Sequence, residues 1–377
     1  MPPSLYPSTR WRALDVFRGS VVLGMILVNA ADLYGHAYPW LQHARFVGFT
    51  FADAVFPGFL FIMGVAMGVS LHGHVRGGEP FRRIYPRIVR RSFVLFALGL
   101  LLNALDLEGG LADLRVMGVL QRLGLCYLLA APILLHLSLR AQALVVAFLL
   151  VAYALALALI PVPPLLGDDS EIANNLPAYI DRLLIGPSHL LRGDPYNERI
   201  DPEGVLGTLS SLVNVLFGAF AGRFLASFSL RRTAASAKLF AIGVAGLLLA
   251  FVASFVTPIN KALWTSSFAL LTSGLAAIGL ALCYEWVDVR EHTKIARLFE
   301  VLGMNAIAAY LLSCVIDALV TRLQVGHGRD AHSLYEAWLR LCHLPPADAA
   351  FLFALLQALL VWAIAQALHT RRWYLKV

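Results

Sequence analysis

Apolar residues group into long blocks that alternate with short polar segments along almost the entire chain. A helix needs about 20 apolar residues to cross the hydrocarbon core of a bilayer. The pattern therefore predicts an all-α polytopic membrane protein, with residues 1–377 forming one transmembrane domain. The ten predicted spans are residues 14–32, 51–71, 88–105, 116–137, 142–162, 204–226, 239–257, 263–285, 298–320 and 350–369.

The segments around these blocks add two expectations. Two arginines precede the first block, as in a secretory signal peptide, but we expect this block to be retained as the first span. The longest connection, residues 163–203, contains acidic residues and prolines, and loops of this length are often functional. Within it, residues 179–185 have the pattern of a short amphipathic helix lying at the membrane interface.

The composition agrees with a membrane protein. Hydrophobic residues make up 59% of the chain and charged residues 14%, against about 45–50% and about 25% in soluble domains. Of the 30 lysines and arginines, 19 fall on the side of the two termini and nine on the other. This bias, which is densest at residues 76–91, predicts cytoplasmic termini. Because the basic residues lie between apolar blocks, the net charge of +7 does not indicate a nucleic-acid-binding face.

The cysteines give no sign of a metal site. None of them belongs to a CxxC pair or to a Cys/His cluster with metal-ligand spacing. We expect packing roles, no disulfide framework and no bound metal for Cys126, Cys283, Cys314 and Cys342.

Polar side chains inside the predicted spans concentrate near the outer ends, and such residues are functional-site hypotheses. Asp53 lies in the first turn of the second span, and Arg122 lies about 10 Å below the outer surface. Gln121 precedes this arginine, and Asn29 lies near the outer end of the first span. Two interpretations stay open. Either Asp53 and Arg122 pair and hold two helices together, or the whole group lines a polar cavity open to the outer side.

His43 has the most suggestive surroundings of the eleven histidines, because it lies in the first outer loop, ten residues before Asp53. The pKa of an imidazole allows proton exchange near neutrality. Taken alone, however, a histidine in a loop is more often a solvated surface residue.

Two further polar clusters precede the sixth and eighth spans. Asp201 and Glu203 suit the start of a helix, where a carboxylate caps the backbone or favours the helix dipole. Asn260 suits a cap as well, and Trp264 suits an anchor at the membrane interface. Lys261 has no comparable structural role in the sequence pattern, although single lysines at a membrane surface are common.

A series of sequence blocks, taken in order, resembles the heparan-α-glucosaminide N-acetyltransferase family, in particular its bacterial members without a lumenal domain. The blocks are Leu14–Gly19, His43–Thr50, Ala52–Gly64, Gly118–Gly124, Asp201–Thr208, Asn260–Trp264 and Gly303–Asn305. The resemblance spans nearly the whole chain. This sequence departs from the family pattern at Phe46 and Val47, where the family has tryptophan and often asparagine.

The resemblance implies an integral-membrane acetyltransferase that moves the acetyl group of cytosolic acetyl-CoA to an amino sugar on the periplasmic side of the bacterial inner membrane. The family's catalytic histidine falls on His43. This residue would act as a general base or as a nucleophile that carries the acetyl group. Asp53 would orient the imidazole or bind the ammonium form of the sugar. Arg122, Gln121 or Asn29 would stabilise the oxyanion that develops on the thioester carbonyl.

The resemblance also assigns the two substrates to opposite sides. The acceptor side would be lined by Asp201, Glu203, Asn260, Lys261 and Trp264, with the indole offering an aromatic face to the sugar. Phosphates of CoA would meet basic residues of the cytoplasmic side, for which the candidates are Arg18, Arg87, Arg90 and Arg91. Asn305 lies about 12 Å in from the inner end of the ninth span, a depth that suits the pantetheine chain. The other expected partners are the lipid bilayer and a second copy in a homodimer, but no nucleic acid.

Two other classes of function stay open. Ten helices with polar groups at depth also suit an amino-sugar transporter of the inner membrane, although the chain shows no inverted repeat. A purely structural membrane protein would leave the clustered His43, Asp53 and Arg122 unexplained.

Overall fold

A computed structural model describes residues 11–105, 110–168, 170–192, 199–228, 232–326 and 331–375. Within these ranges the fold is all-α, as predicted, apart from a short antiparallel ribbon formed by β1 (Gln324–Val325) and β2 (His332–Ser333). The helices are α1 Arg12–Ala31, α2 Phe51–Arg76, α3 Phe81–Leu105, α4 Val119–His136, α5 Leu139–Leu159, α6 Leu176–Leu184, α7 Val205–Ser227, α8 Arg232–Ser254, α9 Ser266–Tyr284, α10 Ala296–Met304, α11 Ala306–Arg322, α12 Leu334–Leu341 and α13 Pro346–Thr370.

Nine helices of the described part are long and apolar enough to cross a membrane, and the pair α10 and α11 makes a tenth span if it is counted as one. Helices α1, α2, α7 and α9 form the centre of the bundle, whereas α3, α5, α8 and α13 are mostly exposed along their length. Apolar side chains such as Leu144, Phe148, Leu248 and Phe251 are exposed on α5 and α8. Exposed apolar faces of this kind fit contact with lipid.

The centre is built on close contact between α2 and α7. A Cβ atom added at Gly64 would lie 2.0 Å from the carbonyl oxygen of Val215, and one added at Gly218 would lie 2.0 Å from that of Phe61. Only glycine permits the two backbones to approach this closely. Small residues at such crossings are typical of helix packing in membranes, where close van der Waals contact replaces the hydrophobic effect.

The predicted ninth span, residues 298–320, is wrong as one continuous helix. Helices α10 and α11 are bent by 81° at Asn305. The direction of α10 is set by α1, because a Cβ added at Gly303 would lie 1.8 Å from the Asp15 carbonyl oxygen and one at Gly19 would lie 1.8 Å from that of Phe299. Such a break inside a span is tolerated where it is buried in protein or lines a cavity.

The connections gather at two ends of the bundle. The terminal end holds the start of α1 and the end of α13, and the loop end holds the segments 32–50, 160–168, 170–192, 199–204 and 255–265. The predicted amphipathic helix is present as α6, which starts at Leu176 because the Asn175 side chain accepts the Ala178 N–H at 2.9 Å. Residues 169 and 193–198 of this long connection lie outside the described residues. The assignment of the terminal end to the cytoplasm stays a prediction.

Candidate active site

The loop between α1 and α2 holds His43 at the loop end of the bundle. The Gly48 N–H donates to the Ile259 carbonyl at 2.9 Å, which ties this loop to the segment before α9. The Thr50 hydroxyl donates to the Gln42 carbonyl at 2.7 Å and closes the segment that contains the histidine. His43 is therefore fixed by its backbone, while its side chain is 40% exposed and accessible from outside.

Asp53 is fully buried in the first turn of α2 and pairs with this histidine. Its Oδ2 accepts the N–H groups of Ala44 and Thr50 at 3.2 and 3.0 Å, and a helix N-terminus favours a carboxylate. Its Oδ1 lies 2.8 Å from Nδ1 of His43. Because a carboxylate only accepts, Nδ1 carries the proton of the neutral ring and Nε2 keeps its lone pair. This arrangement is that of a base and the group that orients it.

Lys261 stands beside this pair rather than apart from it. Its Nζ lies 3.0 Å from Nδ1 and 3.2 Å from Nε2 of His43, and 3.8 Å from Oδ1 of Asp53. The two ring nitrogens flank one carbon, so an atom this close to both must lie over the face of the ring. Desolvation by the protein atoms around the ring and the charge of Lys261 lower the pKa of His43, against the opposing effect of Asp53. The histidine is thus neutral near pH 7.

A buried cluster of charges surrounds the start of α7, and Arg115 is its centre. The guanidinium bonds both carboxylate oxygens of Asp201 at 2.7 Å and Oε2 of Glu203 at 2.6 Å. The expected cap is absent, because α7 begins at Val205 with Gly204 as its N-cap. Nothing in the sequence singled out Arg115, since 86 residues separate it from Asp201.

Arg122 is fully buried, and of the two interpretations left open by the sequence, the one in which it pairs with Asp53 is wrong. Its Nη2 donates to the Gly204 carbonyl at 2.9 Å, while Asp53 is occupied by His43. The guanidinium carbon lies 4.9 Å from the ring centroid of Trp264. Its Nε and Nη1 have no hydrogen-bond partner among the described residues. Arg122 is therefore held by a carbonyl and an aromatic face, and two of its nitrogens have no hydrogen-bond partner among the described residues.

Gln121 and Asn29 are the other two candidates for oxyanion stabilisation. Gln121 is buried in the space that Gly99 leaves on α3, and its Nε2 has no partner in the described part of the chain. Asn29 is half-buried near the loop end of α1. No hydrogen bond between described residues joins either side chain to His43, so their role stays a prediction.

Trp264 and Asn260 have structural roles that differ from those expected. Trp264 is fully buried, its Nε1 donates to Asn214 Oδ1 at 3.0 Å, and Arg122 covers its face. It is neither an interfacial anchor nor an open aromatic face. The Asn260 Oδ1 accepts the Leu263 N–H at 2.9 Å inside the loop, whereas the N-cap of α9 is Thr265. The two residues shape the loop that presents Lys261.

A cavity of about 450 Å³ runs between α1, α2, α3, α4 and the broken span. Arg18 and Arg91 are its cationic residues, and Tyr310 and Leu120 line it deeper in the bundle. Arg18 Nη1 lies 3.1 Å from Asp15 Oδ1 and donates to the Gly303 carbonyl at 3.2 Å. The guanidinium carbon of Arg91 lies 4.7 Å from the Tyr127 ring centroid, and its Nε has no partner among the described residues.

The remaining CoA candidates divide into two groups. Asn305 lies between two cavity-lining residues at the break, and its Oδ1 accepts the Leu375 N–H at 3.3 Å. Arg87 and Arg90 are exposed and do not line the cavity. Arg87 instead pairs with Glu79 at 3.0 Å. The structure thus places Arg18 and Arg91 on one cavity, places Asn305 next to its lining, and leaves Arg87 and Arg90 outside.

Comparisons with known proteins agree with the predicted resemblance. Residues 10–167 match the family described as heparan-alpha-glucosaminide N-acetyltransferase, catalytic. The chain is 32% identical to heparan-alpha-glucosaminide N-acetyltransferase of Homo sapiens, over 80% of this chain and 52% of that protein. It is 30% identical to the protein of the same name from Mus musculus, over 81% and 53%. The chain therefore spans about half the length of these relatives.

Proposed function

Because the chain is related to the heparan-alpha-glucosaminide N-acetyltransferase family, we propose that it is a transmembrane acetyltransferase. It takes the acetyl group of cytosolic acetyl-CoA and passes it to the amine of a glucosamine-type sugar on the periplasmic side of a bacterial inner membrane. The observation that carries this proposal is the pair of His43 and Asp53 at the loop end. In this assignment the terminal end of the bundle faces the cytosol. From the family resemblance we also expect the protein to form a homodimer.

His43 performs the proton transfer that the reaction needs. An amine attacks a thioester only in its neutral form, and Nε2 of His43 takes the proton that the amine loses. Asp53 holds Nδ1 and stabilises the imidazolium that forms. The same Nε2 would carry the acetyl group if the transfer proceeds in two steps. Both routes use one nitrogen, so the geometry of the pair supports either.

The cavity between the terminal end and the centre of the bundle suits the CoA part of the donor. Arg18 and Arg91 would meet the phosphates, because a guanidinium binds phosphate oxygens with charge-assisted hydrogen bonds. The pantetheine chain would pass Asn305 at the break and continue beside Tyr310. The thioester would then approach His43 from the membrane side, and Arg122, Gln121 and Asn29 remain the candidates for stabilising its oxyanion.

The acceptor amine would approach His43 from the loop end. Asp201 and Glu203 are both bonded to Arg115, so they form a wall of this side rather than free ligands for an ammonium group. Lys261 borders the space next to His43, and Asn260 and Trp264 hold its loop in place. The acceptor side is therefore a rigid surface whose reactive group is the histidine.

Arg91→Gln is expected to weaken acetyl-CoA binding about tenfold or more, since a hydrogen bond to a charged group contributes about 1.5–3 kcal/mol. The KM for acetyl-CoA should rise while the KM for the amino sugar stays constant. Arg90→Gln is the matched control, because its exposed side chain lies one residue away and outside the cavity. An equal effect of both variants on the KM would contradict the placement of CoA.

The pH dependence of kcat/KM should report His43. Burial and the charge of Lys261 lower its pKa, so the neutral, reactive form is favoured at pH 7 and the acidic limb should lie below that of an ordinary histidine. In Lys261→Met the positive charge is absent, the pKa rises, and the acidic limb should move to higher pH. The acceptor amine titrates identically with both enzymes, so the difference between the two profiles isolates the histidine. An unchanged limb would contradict this assignment.

The direct test is CoA release from purified protein in nanodiscs. The protein would receive acetyl-CoA with and without a panel of amino sugars, and free thiol would be measured. Thiol release that requires an amino sugar, together with the acetylated sugar as product, would support the proposal and identify the acceptor. Absence of release and of acetyl-CoA binding from folded protein would overturn it and favour an amino-sugar transporter.

A further inference from the structure

The amine of Lys261 lies next to His43 and borders the place that a reacting amine would take. The residue is 8% exposed, and its Nζ contacts the two ring nitrogens at 3.0 and 3.2 Å and Asp53 Oδ1 at 3.8 Å. Because Nζ lies over the face of the ring, it is within reach of any group attached to Nε2, and it is within hydrogen-bond distance of both ring nitrogens.

The backbone keeps this amine in place. The Trp264 N–H donates to the Lys261 carbonyl at 3.0 Å, and Asn260 Oδ1 accepts the Leu263 N–H at 2.9 Å. Trp264, which adopts a positive φ of 50°, is fully buried and fixes the end of this turn. The lysine thus projects from a hydrogen-bonded loop toward His43.

The surroundings also make the amine of Lys261 easier to deprotonate. Burial lowers the pKa of Lys261, against the opposing effects of Asp53 and Glu203, and the charge of Arg122 lowers it further. A buried lysine whose pKa is lowered in this way is the usual form of a nucleophilic lysine in proteins.

We propose that Lys261 is a self-acetylation site, which accepts the acetyl group of acetyl-CoA when no acceptor sugar is bound. This inference rests on the proposed acetyltransferase function. The lysine Nζ forms a bond to the carbonyl carbon, the carbon–sulfur bond breaks, and CoA leaves as a thiolate. The amine proton passes to Nε2 of His43 and from there to the thiolate. The products are Nε-acetyl-lysine and CoA, so no further reactant is needed.

The two-step route gives the same product. An acetyl group on Nε2 lies in the plane of the imidazole, and its carbonyl carbon is attacked from above that plane. Nζ of Lys261 lies on that side, 3.2 Å from Nε2. The bond that breaks is then the carbon–nitrogen bond of the acetyl-imidazole, His43 is regenerated, and the amine proton neutralises the thiolate that left in the first step.

Acetylation of Lys261 would stop the enzyme. The amide is neither basic nor nucleophilic, removes the positive charge beside His43, and adds an acetyl group where the acceptor amine must enter. An amino sugar bound at this place competes with the lysine for the acetyl group and separates it from the donor. The modification should therefore accumulate when acetyl-CoA is abundant and acceptor is absent.

The test is mass spectrometry of the wild-type protein in nanodiscs after incubation with acetyl-CoA alone. One acetyl group should appear on the peptide with Lys261, together with loss of activity in the same time course. Lys238 and Lys294 are exposed lysines of the same chain. They serve as controls, because their acetylation measures the uncatalysed reaction with the thioester. Acetylation of Lys261 should be about a hundredfold faster than theirs, because a general base assists it.

Two further arms separate the outcomes. An amino sugar that is a substrate should protect Lys261, and His43→Ala should reduce its acetylation to the rate of the two exposed lysines. An enzyme that acetylates sugar but leaves Lys261 unmodified would overturn this inference and keep the proposed function. Equal modification of all three lysines would overturn it as well. No transfer to any sugar and no modification would overturn both proposals.

Discussion

His43→Ala should lower the rate of acetyl transfer to an amino sugar by about 10²–10⁴-fold, the usual contribution of a general base. The imidazole is held by its backbone and by Asp53 at 2.8 Å, so its loss removes the base without moving the surrounding helices. The measurement is initial rate of CoA release at saturating amino sugar. An acetyl-histidine route predicts a loss at the upper end of this range, because the carrier itself is removed.

The control for this variant is donor binding. Acetyl-CoA should still raise the melting temperature of His43→Ala as much as that of the wild type, since the cavity with Arg18 and Arg91 is separate from the histidine. Asp53→Asn is the matched comparison, because it keeps the size of the side chain and removes the charge that stabilises the imidazolium. A His43→Ala enzyme with wild-type kcat would show that another group takes the proton.

The membrane spans could be predicted because the thickness of the bilayer fixes the length of each apolar block. Nine of the predicted spans correspond to long apolar helices in the described part of the chain. The break at Asn305 could not be predicted in this way. It depends on how Gly303 and Gly19 dock α10 against α1, a contact between residues that are far apart in the sequence.

The site could be predicted only in part for a similar reason. His43 and Asp53 are ten residues apart, and the short loop brings them together. Arg122 and Asp53 do not pair. The sequence could not show this, because the depth of a residue in the membrane does not reveal which face of α4 meets α2. Trp264 looked like an interfacial residue from its position, but the turn with a positive φ directs it into the core. The contacts of Arg122 and Trp264 depend on helix rotation and loop conformation, which cannot be read from the lengths of the apolar blocks.

Arg115 is the residue whose loss should affect stability most, because it neutralises two carboxylates at once. Asp201 is fully buried and the Glu203 side chain is 10% exposed, while Arg115 bonds both at 2.6–2.7 Å. Breaking a buried ion pair by removing one partner typically costs about 3–5 kcal/mol, because the remaining charge is left unpaired. Burial of Glu203 would raise its pKa once Arg115 no longer opposes that effect.

Arg115→Ala should therefore lower the melting temperature in detergent by several degrees or prevent accumulation of folded protein. The decisive comparison is the triple variant Arg115→Ala, Asp201→Asn, Glu203→Gln, in which the two carboxylates are also neutral. Replacing both members of a buried ion pair lowers the stability far less than removing one and leaving the other charge unpaired. This variant should therefore recover most of the lost stability. If the triple variant melted no higher than Arg115→Ala, the cluster would act through the shape of the arginine rather than through its charge. Recovery of stability without recovery of acetyl transfer would show in addition that the charges of Asp201 and Glu203 contribute to the acceptor side of the site.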